Sequence, residues 1–251
     1  VSGAGTPPAG TTTGTTTPPA NAVTVGSLTG TQPAQSTSSL PYGSFTVPGP
    51  FVVTQGCWGD SAAQSVATAG PDGFKVTASS HNKSGGVAAY PSIYHGSWPS
   101  AQYQTGTVWP RAIKAISYWH ATAHTSGPPT KGDIAWDIWL GTSSTTHDAL
   151  ELMIWLWGNV DPIGSKVATI SSSGQSWDVW YGNSTGTPTV SYLATAQPGS
   201  VDDLDLAALL DDAIARGYAK ASQYLTSVQF GSEIWIGGTG FTLSAYQEVV
   251  G

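Results

Sequence analysis

The chain contains three glutamates, Glu151, Glu233 and Glu248, and the first two lie in runs otherwise made of aliphatic and aromatic residues. Glu151 heads "ELMIWLW" (151–157) and Glu233 sits within "SVQFGSEIWIG" (227–237). A carboxylate buried without a partner is costly or changes its pKa, so such placements imply a cleft or a specific partner. Two carboxyl groups can open an acetal such as a glycosidic bond. One delivers a proton to the leaving oxygen while the other attacks the anomeric carbon or activates a water, provided their surroundings push their pKa values apart. At a separation of roughly 5–5.5 Å such a pair retains configuration, and at roughly 6.5–9.5 Å it inverts. The same residues could instead line a carbohydrate groove that does no chemistry, or serve edge-strand or ion-paired structural roles.

Strands must bring these acids to one face. Side chains alternate along a strand, so Glu151, Met153, Trp155 and Trp157 share one side and Leu152, Ile154 and Leu156 the other. The aliphatic side is the natural core, which leaves the Glu151 side as a groove floor where aromatic residues flank a carboxylate. In "DIAWDIWL" (133–140), Asp133, Ala135, Asp137 and Trp139 alternate with Ile134, Trp136, Ile138 and Leu140 in the same way. Glu233 shares its side with Gly231 and Trp235, although the glycine invites a bulge that would alter the parity.

Around these segments run many short strand-like stretches separated by Gly, Pro and Asn, among them 51–58, 73–79, 112–121, 166–172, 176–182, 187–196 and 239–250. This spacing predicts an all-β sandwich or closed sheet rather than repeated βα units. One segment departs from it. "DDLDLAALLDDAIARG" (202–217) places Leu206, Leu209, Leu210 and Ile214 at helical spacing, with acids in the expected first turn and Arg216-Gly217 at the end. Residues 1–40 are mostly Thr, Pro, Gly, Ser and Ala and read as a tether or surface extension, with "NAVTVGSL" the one candidate strand. Residues 41–251 read as a single domain, since an all-β core of this length needs no division.

Composition narrows the partners. The formal charge is −7, from 8 Lys and Arg against 15 Asp and Glu, and the basic residues are scattered, which disfavours nucleic acid and anionic membranes. A neutral polysaccharide meets no such repulsion, and the 11 Trp and 10 Tyr offer apolar faces for sugar rings. The single cysteine, Cys57, excludes an intrachain disulfide and thiolate clusters of the usual kind. His81, His95, His120, His124 and His147 form no metal motif, and no metal or other cofactor is expected. A start with no basic leader or apolar segment is what a secreted, extracellular chain shows once its signal is removed.

Taken together, "GCWG" (56–59), "AYPSIYHG" (89–96), "AISYWH" (115–120), "DIAWDIWL", "ELMIWLW", "DPIG" (161–164), "GQSWDVWYG" (174–182) and "QFGSEIWIGGTG" (229–240) resemble glycoside hydrolase family 12, in family order over about residues 50–250. The resemblance implies a β-jelly-roll of two antiparallel sheets with a concave substrate groove and one packed helix. It also implies a retaining endo-β-1,4-glucanase acting on cellulose or a related β-glucan. Glu151 would be the nucleophile, Glu233 the acid/base, and Asp137 a neighbour hydrogen-bonded to Glu151. Trp58 would stack on a sugar ring, with Met153, Trp155, Trp235 and Trp119 as further groove residues. The chain departs from the family pattern in lacking its common N-terminal disulfide. After the acid/base it also has Ile234-Trp235-Ile236, where the family usually has Pro-Phe-Thr. Xyloglucan specificity, transglycosylation and a non-catalytic carbohydrate-binding module remain open alternatives. A monomer is expected, joined through the tether to any further domain.

Overall fold

The computed structural model describes residues 17–20, 22–27, 44–46, 51–69, 73–96, 110–183 and 186–251. Most of the Thr/Pro-rich segment lies outside the described residues. Among those described, eighteen strands and one α-helix form. The strands are β1 (Val23–Ser27), β2 (Ser44–Thr46), β3 (Val52–Thr54), β4 (Gln64–Thr68), β5 (Phe74–Ser79), β6 (His81–Asn82), β7 (Ser92–Gly96), β8 (Arg111–Ala112) and β9 (Trp119–Ser126). They continue with β10 (Lys131–Gly141), β11 (Leu150–Gly158), β12 (Ser165–Ser172), β13 (Gln175–Asn183), β14 (Pro188–Ala194), β15 (Val201–Asp205), β16 (Tyr224–Gly231), β17 (Ile234–Gly237) and β18 (Thr242–Val250). Helix α1 (Leu206–Ala215) lies between β15 and β16.

Two sheets face each other. The larger is ordered β12-β13-β14-β11-β10-β16-β7-β3-β2, with β8 on β16 and with β17 joining β10 to β6. The smaller is ordered β15-β9-β18-β5-β4, with β1 added to β18 through the register Val23 opposite Val250. Among the described residues pairing is antiparallel with one exception that the local pattern did not reveal. β11 and β14 run parallel, because the β12–β13 hairpin intervenes and gives the chain enough length to return in the same direction.

The core lies between the sheets. Ile134, Trp136, Ile138 and Leu140 of β10 and Leu152, Ile154 and Leu156 of β11 are buried there, as alternation predicts. Each such side chain contributes about 1.5–3 kcal/mol by leaving water. Trp157 departs from the alternation. Ile134 pairs with Trp157 but Ala135 pairs with Trp155, so Leu156 is an extra residue, and this bulge turns Trp157 toward the core.

The segment at 112–121 is not one strand: β8, a 3-10 turn at Ile113–Ala115 and β9 divide it. The helix starts later than its acids suggested. Val201–Asp205 pairs with β9 instead, where Asp202 meets His124 at 2.7 Å and Asp203 meets His120 at 2.9 Å. Asp205 then caps the helix by accepting from Ala208 N at 3.0 Å, an arrangement worth about 1 kcal/mol. Leu206, Leu209, Leu210 and Ala213 bury the apolar stripe against the core. No helix of the described residues is long and apolar enough to cross a membrane.

Candidate active site

The outer face of the larger sheet is concave and holds a cavity of about 680 Å³. Its floor comes from β10 and β11, whose register sets Glu151 opposite Trp139 and Met153 opposite Asp137. All four residues line the cavity, and Trp155 extends the row. On the other side of β11, the parallel register places Thr189 of β14 beside Glu151. Thr189 is buried, and its Oγ1 donates to Glu151 Oε2 at 2.7 Å.

Glu233 reaches the same cavity by leaving the ladder. β16 ends at Gly231 and β17 begins at Ile234, so the expected continuous strand is broken at Ser232-Glu233. The break is held tightly. Asp133 N donates to Glu233 O at 3.1 Å, Ile234 N to Ala89 O at 2.8 Å, and Ser232 Oγ to Asp133 O at 2.6 Å. Gly132 lets the chain pass so close: its φ is +146°, and a Cβ there would stand 1.8 Å from Glu233 O.

Burial raises the carboxyls of the floor by unequal amounts. Glu151 is pushed up by burial, while the Thr189 hydrogen bond pulls it back. Glu233 is held well above the usual carboxylate range, by burial first, then by the charge and hydrogen bond of Asp133, then by the charge of Glu151. Asp137 is likewise well above it, through burial and the charge of Glu151, against a hydrogen bond from Trp139. Its Oδ1 is enclosed without a hydrogen-bond partner, and the nearby charge of Glu151 adds to burial in keeping Asp137 protonated. Asp133, wholly buried, is pushed up to about 7 by burial, partly offset by hydrogen bonds with Glu233. The Glu151 carboxyl therefore ionises before that of Glu233, a division suited to one nucleophile and one acid.

The remaining predicted groove residues separate into two groups. Trp58 lines the cavity and is 54% exposed, on a backbone pinned by Tyr90 N to Gly56 O (3.0 Å) and Gly59 N to Ala88 O (2.8 Å). Met153, Trp155 and Trp235 line it too, and the Lys131 ammonium sits 4.5 Å over the Trp235 ring. Trp119 does not. It is fully buried between the sheets, where its indole N–H donates to Glu248 Oε1 at 2.7 Å, a partner that only the folded chain supplies. Sequence reasoning passed over Thr189, Tyr90 and Gln229 as site residues, and it read Asp133 and Trp139 only as members of an alternating strand. Tyr90 and Gln229 line the cavity, and Tyr90 OH donates to Ala135 O at 2.9 Å. Cys57, behind Trp58, is free and buried, its thiol pushed up to about 12 by burial and by Asp60. Among the described residues no group of three or more His, Cys, Asp or Glu could hold a metal ion.

A concave sheet floored by aromatics and by carboxyls of divided protonation defines a polysaccharide-cleaving type of site. The model for glycosyl hydrolase family 12 matches residues 49–250, and the chain belongs to that family. Endoglucanase cel12A from Rhodothermus marinus superposes with a TM-score of 0.80 at 31% identity, over 88% of this chain and 99% of that one. A metagenome-derived glycoside hydrolase family 12 endoglucanase gives 0.80 at 33%, with the same coverage. A probable xyloglucan-specific endo-beta-1,4-glucanase A of Aspergillus flavus is 28% identical over 209 residues, 78% of this chain and 83% of the relative.

Proposed function

We propose that the protein hydrolyses internal β-1,4-glucosidic bonds of cellulose or a related β-glucan by double displacement, with retention of configuration. Glu233, protonated, gives its proton to the glycosidic oxygen as ionised Glu151 attacks the anomeric carbon. The leaving chain departs with the bonding electron pair. Glu233, now a carboxylate, takes a proton from water, which displaces Glu151 and regenerates both groups. Asp137, opposite Met153 on the neighbouring strand, stands beside Glu151 on the groove floor. Trp58 stacks on a sugar ring, and Trp155 and Trp235 line the groove as further apolar walls. The chemistry calls for no metal or organic cofactor.

One observation carries this reading: a carboxyl from β11 and one from the break between β16 and β17 line one groove, and their surroundings favour ionisation of Glu151 over Glu233. The relative named as xyloglucan-specific supports a second reading in which the glucan is branched. The family match over residues 49–250 supports a catalytic domain over 41–251, with 1–40 as a tether or surface extension whose β1 lies along β18. A secreted monomer suits a polymeric extracellular substrate.

The test is release of reducing ends from cellulose, mixed-linkage glucan, xyloglucan and xylan by the parent, Glu151→Gln and Glu233→Gln. Both variants should fold and keep oligosaccharide affinity while turnover falls by at least about a thousandfold. Turnover near the parent rate would remove the assignment. Proton NMR of the first products should show the β anomer, and early α anomer would replace double displacement by inversion.

A further inference from the structure

Double displacement uses Glu151 and Glu233, with Asp137 beside the nucleophile, and leaves one buried carboxyl of the site without a role. Asp133 is wholly buried on β10 behind Glu233. Three contacts tie it to the break that carries the acid/base: Asp133 N to Glu233 O (3.1 Å), Glu233 N to Asp133 Oδ1 (3.4 Å) and Ser232 Oγ to Asp133 O (2.6 Å). The two carboxyls are themselves within hydrogen-bonding reach. Asp133 Oδ2 is otherwise enclosed and meets no N–H or hydroxyl donor.

Two carboxyl groups in such contact can hydrogen-bond only if at least one keeps a proton, since two buried anions would repel each other with no water to solvate them. The surroundings supply no counter-charge. Asp137 faces the pair from β10, Glu151 from β11, and Tyr90 from the segment before β7; all three are acids. Among the described residues no lysine, arginine or histidine forms an ion pair with either carboxyl. Lys131, two residues along the chain, directs its ammonium to Ser84 O at 2.5 Å and to the Trp235 ring.

We propose that Asp133 is a positioning residue for Glu233, bound to it by a shared proton that decides whether Glu233 can present its own proton to the groove. The inference rests on the acid/base reading of Glu233 for the use made of that proton. At low pH the pair holds two protons. The Asp133 hydroxyl donates to the near Glu233 oxygen, and the far Glu233 hydroxyl faces the groove. When the glycosidic C–O bond breaks, its electron pair stays on the leaving oxygen, which takes the outward proton. The new Glu233 carboxylate already accepts a hydrogen bond from Asp133. As the pH rises Asp133 ionises first, because Glu233 is held higher by burial and by Asp133 itself. The one proton left lies between the two groups and is no longer offered outward. Activity then falls with the ionisation of Asp133, below the pH at which Glu233 itself ionises.

Carbon-13 NMR of the whole chain, labelled at the Asp and Glu carboxyl carbons, tests this. In the parent, Glu233 should titrate in two steps, the lower coinciding with the step of Asp133, and the alkaline limb of kcat/KM should follow that lower step. In Asp133→Asn, Glu233 should titrate once, at least ~1 pH unit below its upper parental step because a neighbouring negative charge is gone, and the alkaline limb should follow the single step. A single-step Glu233 in the parent, an alkaline limb tracking its upper step, or an upper step unmoved by the substitution would each overturn the proposal. The parental titration answers the question even if the variant folds poorly, and an Asp133 that only supports the backbone would leave Glu233 with one step. A failure of the acid/base reading looks different: Glu233→Gln would stay active while the two-step titration stood.

Discussion

Thr189 Oγ1 donates to Glu151 Oε2 at 2.7 Å across the parallel pair β11–β14, and this hydrogen bond opposes the upward pull of burial on the nucleophile's pKa. Glu151 must be ionised to attack, so Thr189→Val should move the acid limb of kcat/KM to higher pH. A hydrogen bond to a charged group contributes about 1.5–3 kcal/mol, which corresponds to a loss of roughly ten- to a hundredfold in rate at a pH where the parent is fully active. Kinetics from pH 3 to 8 on a soluble β-glucan measure both effects. An unmoved acid limb would show that Thr189 does not tune Glu151.

Trp58 is the large apolar side chain most open to solvent among the described residues, on a backbone anchored by its neighbours rather than by its ring. Trp58→Ala should therefore leave the fold intact, with stability changed by no more than about 0.5 kcal/mol. Its effect should fall on affinity. Covering an indole with a sugar face is worth on the order of 1.5–3 kcal/mol, so oligosaccharide binding by calorimetry should weaken roughly ten- to a hundredfold. Unchanged affinity would place the sugar elsewhere along the groove.

The groove floor was legible because period-two alternation is a local property. Ile134, Trp136, Ile138, Leu140, Leu152 and Ile154 lie where alternation puts them, and Asp137, Glu151 and Met153 face the other way. What escaped the pattern depends on partners distant in sequence. Thr189 meets Glu151 only because β14 returns parallel, and the bulge at Leu156 that turns Trp157 inward arises from pairing with β10. The Ser232-Glu233 break was foreshadowed by Gly231, but the contact with Asp133 that holds it spans one hundred residues. Trp119 was misplaced for the same reason: an indole among aromatics reads as a sugar platform until the buried acceptor that satisfies it is known.

That acceptor, Glu248, is the third glutamate and has a separate task. It lies on β18 of the smaller sheet and bonds His95 Nε2 of β7 in the larger one, joining the sheets through the core. Trp119 Nε1 donates to its Oε1 at 2.7 Å and Tyr246 OH to its Oε2 at 3.0 Å, while Trp136 Nε1 donates to Tyr246 OH at 3.2 Å. Burial raises the Glu248 pKa, but the charge and hydrogen bond of His95 and the Trp119 and Tyr246 donors outweigh it and hold the carboxyl below its ordinary value. A group depressed in this way binds fewer protons folded than unfolded, so its stabilisation is present above the unfolded value of about 4.3 and is lost as pH falls through the folded value. Glu248→Gln should therefore lower unfolding stability by about 3–5 kcal/mol at pH 6, because it removes one partner of a buried pair. The deficit should shrink at pH 3, where the parent's carboxyl is itself becoming protonated. Urea denaturation of parent and variant at both pH values measures the two gaps. A variant as stable as the parent at pH 6, or a gap that widens on acidification, would mean that the sheets are held together without this carboxylate.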